Sequence, residues 1–469
     1  MWPAMARLRR LPLGVVALTA SLLAAPSVLA RSAQPQPAQP ASSSQLNEPL
    51  LRVLVLQGQE ARLRPALSAA GLRLRDAQGR LLAELAGQVV LQAATDSGWL
   101  RLVRGDGSES EQWQLREVWL EAVAGAEERD PGLWVGQRRY RGRLQLLPQA
   151  GQLQVVNHVP LETYLPSVVG SEMPASWPLQ ALQAQAVAAR TYALKARKPS
   201  APFDVQATTA SQVYKGVEAE TPSTLAAVAA TRGQVLTYNN ALIDAVFHSS
   251  SGGSTESSGD LWPRQLPYLV SVPDFDQASP VRDWRQPLDR ARLRQAFPEL
   301  GGAHGIDVLA TTPTGRVRQA RVVGPTGQLS LTGAQLRSRL GLKSTWVRFE
   351  LVPTTSSAGP APAGLTLDSA SGAAPALAPP PLPAFSLPVP STKTPEVVQL
   401  VAVGRGFGHG VGMSQWGALA MAQRGESYAS ILKHYYRGTA LQPYSELART
   451  AAAGRGWAND DPRSLAVSP

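Results

Sequence analysis

Residues 159–194 read VPLETYLPSVVGSEMPASWPLQALQAQAVAARTYAL, and the rest of the chain is organised around them. In the first half Leu161, Leu165, Val168 and Val169 recur at helical spacing. In the second half Ser176 offers an N-cap, and Pro178 falls in a first turn, where a missing N–H costs nothing. The helix that follows carries Leu179, Leu182, Ala186, Ala189 and Ala193 as one apolar stripe, with Gln183, Gln185 and Arg190 off it. Between the two patterns stands a lone carboxylate, Glu172, in Ser171-Glu172-Met173-Pro174. The proline disfavours helix at Met173, so the acid is expected on the bend between two packed helices. Rigid helices flanking an acid make a catalytic mount. The competing reading is a solvated loop acid, which is what most single glutamates are.

Working outward, the chain has 469 residues, 44% of them hydrophobic, enough for one large domain or two ordinary ones. Only 17% are charged, while Pro (39) and Gly (40) are abundant, so part of the length is expected to be linker. The Cys count is 0, which excludes disulfides, thiol catalysis and thiolate metal sites. At the N-terminus Arg7, Arg9 and Arg10 precede an apolar run from Leu11 to Ala25, and Val28-Leu29-Ala30 offers a small-residue cleavage site before Arg31. This pattern predicts a signal peptide over 1–30. The alternative, an uncleaved anchor, needs a longer apolar run. No other stretch approaches a transmembrane length, so the mature protein is expected to be exported, periplasmic or extracellular, with no stable membrane span. Lys plus Arg exceed Asp plus Glu by 45 to 34, a formal charge of +11. Such a surplus can mark nucleic-acid binding, but export argues against that partner. The basic residues are scattered, which suits loose attraction to the carboxylates and phosphates of a cell wall.

Residues 31–48 are rich in Pro, Gln, Ser and Ala and read as a disordered linker. Short strand patterns from Leu50 predict a small β-rich region over 49–130 that carries no chemistry of its own. More strands, Tyr140–Leu146 and Leu153–Val159, lead into the Glu172 region, and His158 reads as a strand histidine. Downstream, Pro222 opens a short helix that stops at Gly233. Gln234–Tyr238 and Leu242–His248 then form a hairpin across Asn239-Asn240, since Asn tolerates positive φ. The hairpin delivers His248 and the loop Ser249–Ser254 to one end of a sheet. Trp262, Tyr268 and Trp284 follow, equally suited to sugar stacking and to core packing. Helices over Leu288–Leu300 and from Thr332 to Leu340 alternate with strands up to Leu351. Residues 353–395 are dominated by Pro, Ala, Ser, Thr and Gly and read as a low-complexity insertion, and 446–469 as a loose tail.

Gly404, Gly406, Gly408, Gly410 and Gly412 alternate strictly. In an extended chain this leaves one face of bare backbone, with Arg405, Phe407, His409 and Val411 on the other. A bare face admits either a glycan or a packed neighbour. Ser414-Gln415 can then start a helix over Trp416–Arg424, with Gly425 as its stop.

The run SEMPASWPLQALQAQAVAARTYAL, together with Phe247-His248-Ser249-Ser250-Ser251-Gly252-Gly253 and GFGHGVGMSQWGA at 406–418, resembles the SpoIID/LytB domain family. The likeness runs from about Trp134 to Gly438. It implies an α+β fold: mixed, mostly antiparallel sheets with a few helices around a central cleft, beside the small β-rich N-terminal region. The family domain would fill 131–445, interrupted by the insertion. The resemblance also implies a peptidoglycan lytic transglycosylase, with Glu172 as its catalytic acid. By the same likeness His248, Ser249, Ser250, His409 and Gln415 line the substrate cleft, and Gln185 and Arg190 join them. Some relatives hold a zinc through Cys and His, and this chain lacks those thiolates, so neither a metal nor a cofactor is carried over. Two rivals stand beside this reading. One is a non-catalytic wall-binding enhancer of an amidase. The other is a hydrolase pairing Glu172 with Asp204, Asp244 or Asp260, because hydrolytic glycosidases generally use two carboxylates.

Overall fold

A computed structural model describes residues 48–67, 69–87, 89–96, 98–105, 112–124, 130–353 and 398–447. The expected signal peptide, the linker up to residue 47, the insertion beyond Pro353 and the tail from residue 448 lie outside the described residues. The fold is α+β with mostly antiparallel sheets, as the sequence led us to expect.

Residues 50–160 are a run of strands: β1 (Leu50–Gly58), β2 (Glu60–Pro65), β3 (Gly71–Arg75), β4 (Leu81–Ala86), β5 (Leu91–Asp96), β6 (Trp99–Arg104), β7 (Gln112–Leu115), β8 (Val118–Val123), β9 (Leu133–Val135), β10 (Arg138–Tyr140), β11 (Arg143–Gln149) and β12 (Gln152–Pro160). They build two sheets. One has the order β13-β1-β12-β11-β8-β3-β4, where β13 is the later strand Val205–Gln206, and the other β10-β9-β2-β5-β6-β7. Alternate residues point inward, Leu72 and Leu74 from one sheet and Leu100 and Leu102 from the other, all fully buried in one core. The boundary expected at residue 130 does not separate two sheets, because β1 pairs antiparallel with β12 along its whole length and parallel with β13. Strand pairing across a hundred residues leaves no mark in a local pattern.

Pro160, the last residue of β12, is the N-cap position of α1 (Leu161–Glu172), and α2 (Leu179–Lys195) follows. The N-cap position of α2 is Pro178, not Ser176, and it makes no side-chain cap bond. The stripe reading of α2 also fails. Gln183, Gln185 and Arg190 are buried while Leu179 is exposed, because helices α1, α3 (Pro222–Ala230), α7 (Gln415–Gln423) and α8 (Tyr428–Tyr435) all pack around α2. Strand β14 (Gln234–Tyr238) turns into β15 (Ala241–Leu242) through Asn239 and Asn240 at φ 49° and 60°, the predicted turn. Strand β16 (Phe247–His248) and the short helix α4 (Ser258–Leu261) follow.

A second core is gathered by β17 (Asp283–Leu288), α5 (Arg290–Ala296), β18 (Gly305–Thr311), β19 (Val317–Gly324), β20 (Gly327–Thr332), α6 (Gly333–Leu340), β21 (Val347–Pro353) and β22 (Val398–Arg405). Trp284, Phe297, Val322, Leu336 and Ala402 fill it. Helix α6 opens with a capping box between Thr332 and Gln335, close to its predicted start. The chain then returns through β23 (Met413–Ser414), α7 and α8 to β24 (Ala440–Pro443), which pairs with β14.

Strands β21 and β22 are antiparallel partners, with Pro353 opposite Val398. The two ends of the 354–397 segment are therefore already side by side, and closing a shorter loop between them costs little. Replacing 354–397 by a short Asn-Gly turn is expected to leave the melting temperature within about 4 °C of the parent, as read by circular dichroism.

Candidate functional site

Glu172 is the last residue of α1 rather than part of the bend. Met173 leaves the helix at φ −130° and ψ 143°, the extended geometry that Pro174 imposes on the residue before it. One carboxyl oxygen of Glu172 accepts from the Val213 backbone N–H at 2.9 Å, and the other accepts from the Gln415 amide at 3.2 Å. Burial pushes the carboxyl pKa above its ordinary value, and these two bonds and the Lys215 charge oppose the shift only in part.

Val213 is aimed by its neighbours. Gln212 is fully buried, accepting from Tyr164 of α1 at 3.1 Å and donating to the Ala189 carbonyl of α2 at 3.2 Å. Tyr214 donates to Asn157 of β12 at 3.1 Å and packs between Tyr140 and Tyr164. The start of this loop is pinned by Arg52 of β1, which grips Asp204 at 2.7 Å. The β-rich N-terminal region, with no chemistry of its own, thus helps hold the donor that faces the acid.

Gln415 is the first residue of α7, whose N-cap Ser414 accepts from Gly417 N–H at 3.2 Å. Strand β23 pairs in parallel with β16, setting His248 opposite Ser414, and Trp416 N–H donates to the Ser249 carbonyl at 3.0 Å. The rings of Trp416 and Trp177 meet edge-on at 5.1 Å beside this junction. The loops bearing His248, Ser249 and Gln415 therefore stand side by side, next to Glu172. His248 faces the Val411 carbonyl through Nδ1 at 3.1 Å, and its buried Nε2 has no partner among the described residues. Burial, with Arg316 close by, pulls its pKa down to about 3. His409 accepts the Val411 N–H on Nδ1 at 3.1 Å, and burial together with His248, 5.4 Å away between ring centres, holds its pKa well below the usual value. Both imidazoles are neutral and are tied to one backbone unit, so they shape the ribbon rather than carry protons. Ser250 is buried, donating to Asp276, which also accepts the Gly252 N–H at 2.7 Å.

The alternating glycines resolve in favour of packing. Gly406, Gly408, Gly410 and Gly412 have φ of 72°, 112°, 84° and 73°, so the extended reading ends at Arg405. A Cβ on Gly408 would stand 2.7 Å from that of His248, and one on Gly410 would stand 2.2 Å from the Arg316 guanidinium. Only glycine combines such dihedrals with so close an approach.

Arg190 lies in the core rather than beside the acid. Its guanidinium is fully buried and holds both oxygens of Glu162 at 2.7 Å. Gln185 is fully buried on α2, with neither amide atom partnered among the described residues. The stacking candidates Tyr268 and Trp284 are core residues, 7% and 6% exposed, while Trp262 is half-buried against His409. Of the carboxylates proposed as a second acid, Asp204 is committed to Arg52. Burial would raise its pKa, but the bonds from Arg52 and the backbone lower it further. Asp244 takes the Tyr268 hydroxyl at 3.1 Å, and Asp260 faces Arg318 at 3.8 Å. No group of three or more His, Asp or Glu able to hold a metal occurs among the described residues.

The profile of the stage II sporulation proteins, SpoIID, matches residues 149–238, the strand-helix-helix unit that ends in Glu172 and α2 and runs on to β14. Stage II sporulation protein D of Bacillus subtilis is 32% identical over 311 residues, which are 61% of this chain and 76% of that protein. The chain belongs to the SpoIID family. An uncharacterised protein from Brachyspira hyodysenteriae is 31% identical over 323 residues, 68% of this chain and 77% of the other. The amidase enhancer of Bacillus subtilis is 32% identical over 304 residues, 60% of this chain, but the match spans only 40% of that protein's length. Within this SpoIID chain, sequence reasoning missed Val213, Gln212 and Tyr214. A backbone donor has no side-chain signature, and Gln212 and Tyr214 stand in an otherwise unremarkable polar loop.

Two outcomes follow from these contacts. Removing one partner of a buried ion pair leaves the other charge uncompensated, so Arg190→Met is expected to cost about 3–5 kcal/mol in denaturant unfolding. For Glu172 the sign runs with its raised pKa. The native state favours the neutral carboxyl, so burial of the charged form weakens the fold as pH rises through the native pKa. Glu172→Gln is therefore expected to raise the melting temperature at neutral pH, with the gain vanishing below about pH 4, where the parent is neutral in both states.

Proposed function

We propose that this SpoIID-family chain is an exported lytic transglycosylase. It cleaves the bond between N-acetylmuramic acid and N-acetylglucosamine in peptidoglycan, with Glu172 acting as acid and then as base. The observation that carries the reading is the environment of Glu172: a half-buried carboxyl with a raised pKa, held at both oxygens by Val213 and Gln415. A carboxyl kept neutral can give its proton to the glycosidic oxygen. The C1–O bond then breaks, and the N-acetylglucosamine leaves as the free hydroxyl. The resulting Glu172 carboxylate takes the proton of the muramic acid 6-hydroxyl, whose oxygen bonds to C1 and closes a 1,6-anhydro ring. The nucleophile is internal, so no second carboxylate is needed, in keeping with the committed positions of Asp204, Asp244 and Asp260. Gln415 suits both steps, since an amide can donate to the carboxylate and, turned over, accept from the acid.

A second reading draws on the relative named as an amidase enhancer. In it the chain binds wall glycan and stimulates a separate amidase without cutting strands. Mass analysis of sacculi treated with the purified protein separates the two. The first reading expects anhydro-muropeptides from the parent and none from Glu172→Gln, whereas the enhancer reading expects none from either. The rate should fall as pH rises through the raised pKa of Glu172, because the first step uses the protonated form. A rate that instead climbs between pH 5 and 8 would mark a histidine base, which the low pKa of His248 and His409 argues against.

A further inference from the structure

The exposed large hydrophobic side chains among the described residues are leucines and a single aromatic, Phe407, which is 44% exposed. Lone exposed leucines are ordinary on a protein surface and call for no function. Phe407 differs in how it is held. Its N–H donates to the Ser250 carbonyl at 2.7 Å, and its carbonyl accepts the Ser250 N–H at 3.1 Å. Ser250 is itself fixed through its hydroxyl to Asp276. On either side Gly406 and Gly408 press on protein, where a Cβ would stand 2.6 Å from the Ser250 carbonyl oxygen and 2.7 Å from the His248 Cβ. The backbone is thus clamped on the side of the His248 loop, and the ring is left in solvent. The residue before Ser250, Ser249, takes the Trp416 N–H, and Gln415, the residue before Trp416, binds Glu172. The ring is therefore presented by the same pair of loops that holds the partner of the acid. Tyr268 and Trp284 lie in the core instead.

We propose that Phe407 is a sugar platform: its open ring stacks on the apolar face of an N-acetylated pyranose of a glycan strand. The proposal rests on the peptidoglycan reading given above and adds a binding residue to it. An aromatic face offers dispersion and a flat apolar surface without charge, which suits a sugar ring and not an acidic stem peptide.

The test uses the Glu172→Gln protein, which leaves strands uncut, and measures co-sedimentation with peptide-free glycan strands and with intact sacculi. Phe407→Ala in that background should weaken binding to both by about three- to tenfold, at low and high salt alike. Phe407→Trp should restore it. Because the ring is exposed and its locking bonds are backbone bonds, the melting temperature of both variants should match the background. Unchanged affinity in the Ala variant overturns the proposal. So does a loss seen only on intact sacculi, which would assign the ring to a peptide. The result stands apart from the catalytic reading. Missing anhydro products with the affinity loss present would sink the lytic reaction and keep the platform, and the opposite pair would do the reverse.

Discussion

The bidentate pair between Glu162 and Arg190 is the contact on which the region around Glu172 hangs. A guanidinium with no solvent exposure needs every donor answered. Arg190 meets Glu162 on α1, the Val228 carbonyl at the end of α3, and Thr231 and the Gln234 carbonyl at the entry to β14. Glu162 in turn accepts the Gly233 N–H at 3.2 Å. One ion pair thus fixes the first turn of α1 against three other elements. Glu172 lies ten residues on, roughly 15 Å along the axis, at the helix end that Val213 and Gln415 hold. The helix serves as a spacer of set length between the buried ion pair and the Glu172 carboxyl.

The glycine ribbon performs the complementary task on the other wall. Four positive-φ glycines let the chain from Gly406 to Gly412 lie directly on His248, Ser250, Arg316 and Val246. Both imidazoles close on Val411, one on each side of its peptide unit. One imidazole faces the Val411 carbonyl and the other accepts the Val411 N–H, and burial holds both pKa values low, whereas burial raises that of Glu172.

The acid, the two helices and the Asn239-Asn240 turn were legible because each is written in local spacing or turn chemistry. The family likeness put Arg190 in the cleft, and the single-stripe reading of α2 gave no warning that the side chain is buried, because four other helices surround α2. The glycine alternation was legible as a feature but not as a conformation or a role, since strict alternation fits both a strand and a string of positive-φ turns, and a bare face suits both a glycan and a packed neighbour. The part played by residues 50–130 was illegible for a different reason. The pairing of β1 with β12, and the reach of Arg52 to Asp204, join positions separated by 100 to 150 residues, and no window of sequence contains both ends.

That long pairing bears on truncation. Strand β12 feeds directly into α1 and lies inside the segment that matches the family profile, yet one of its two hydrogen-bonding edges belongs to β1. A fragment begun at residue 131 would strip that edge bare and leave Asp204 buried without its cation. An open strand of nine residues is a template for any other chain with the same vacancy, so self-association is the natural fate of the isolated family segment.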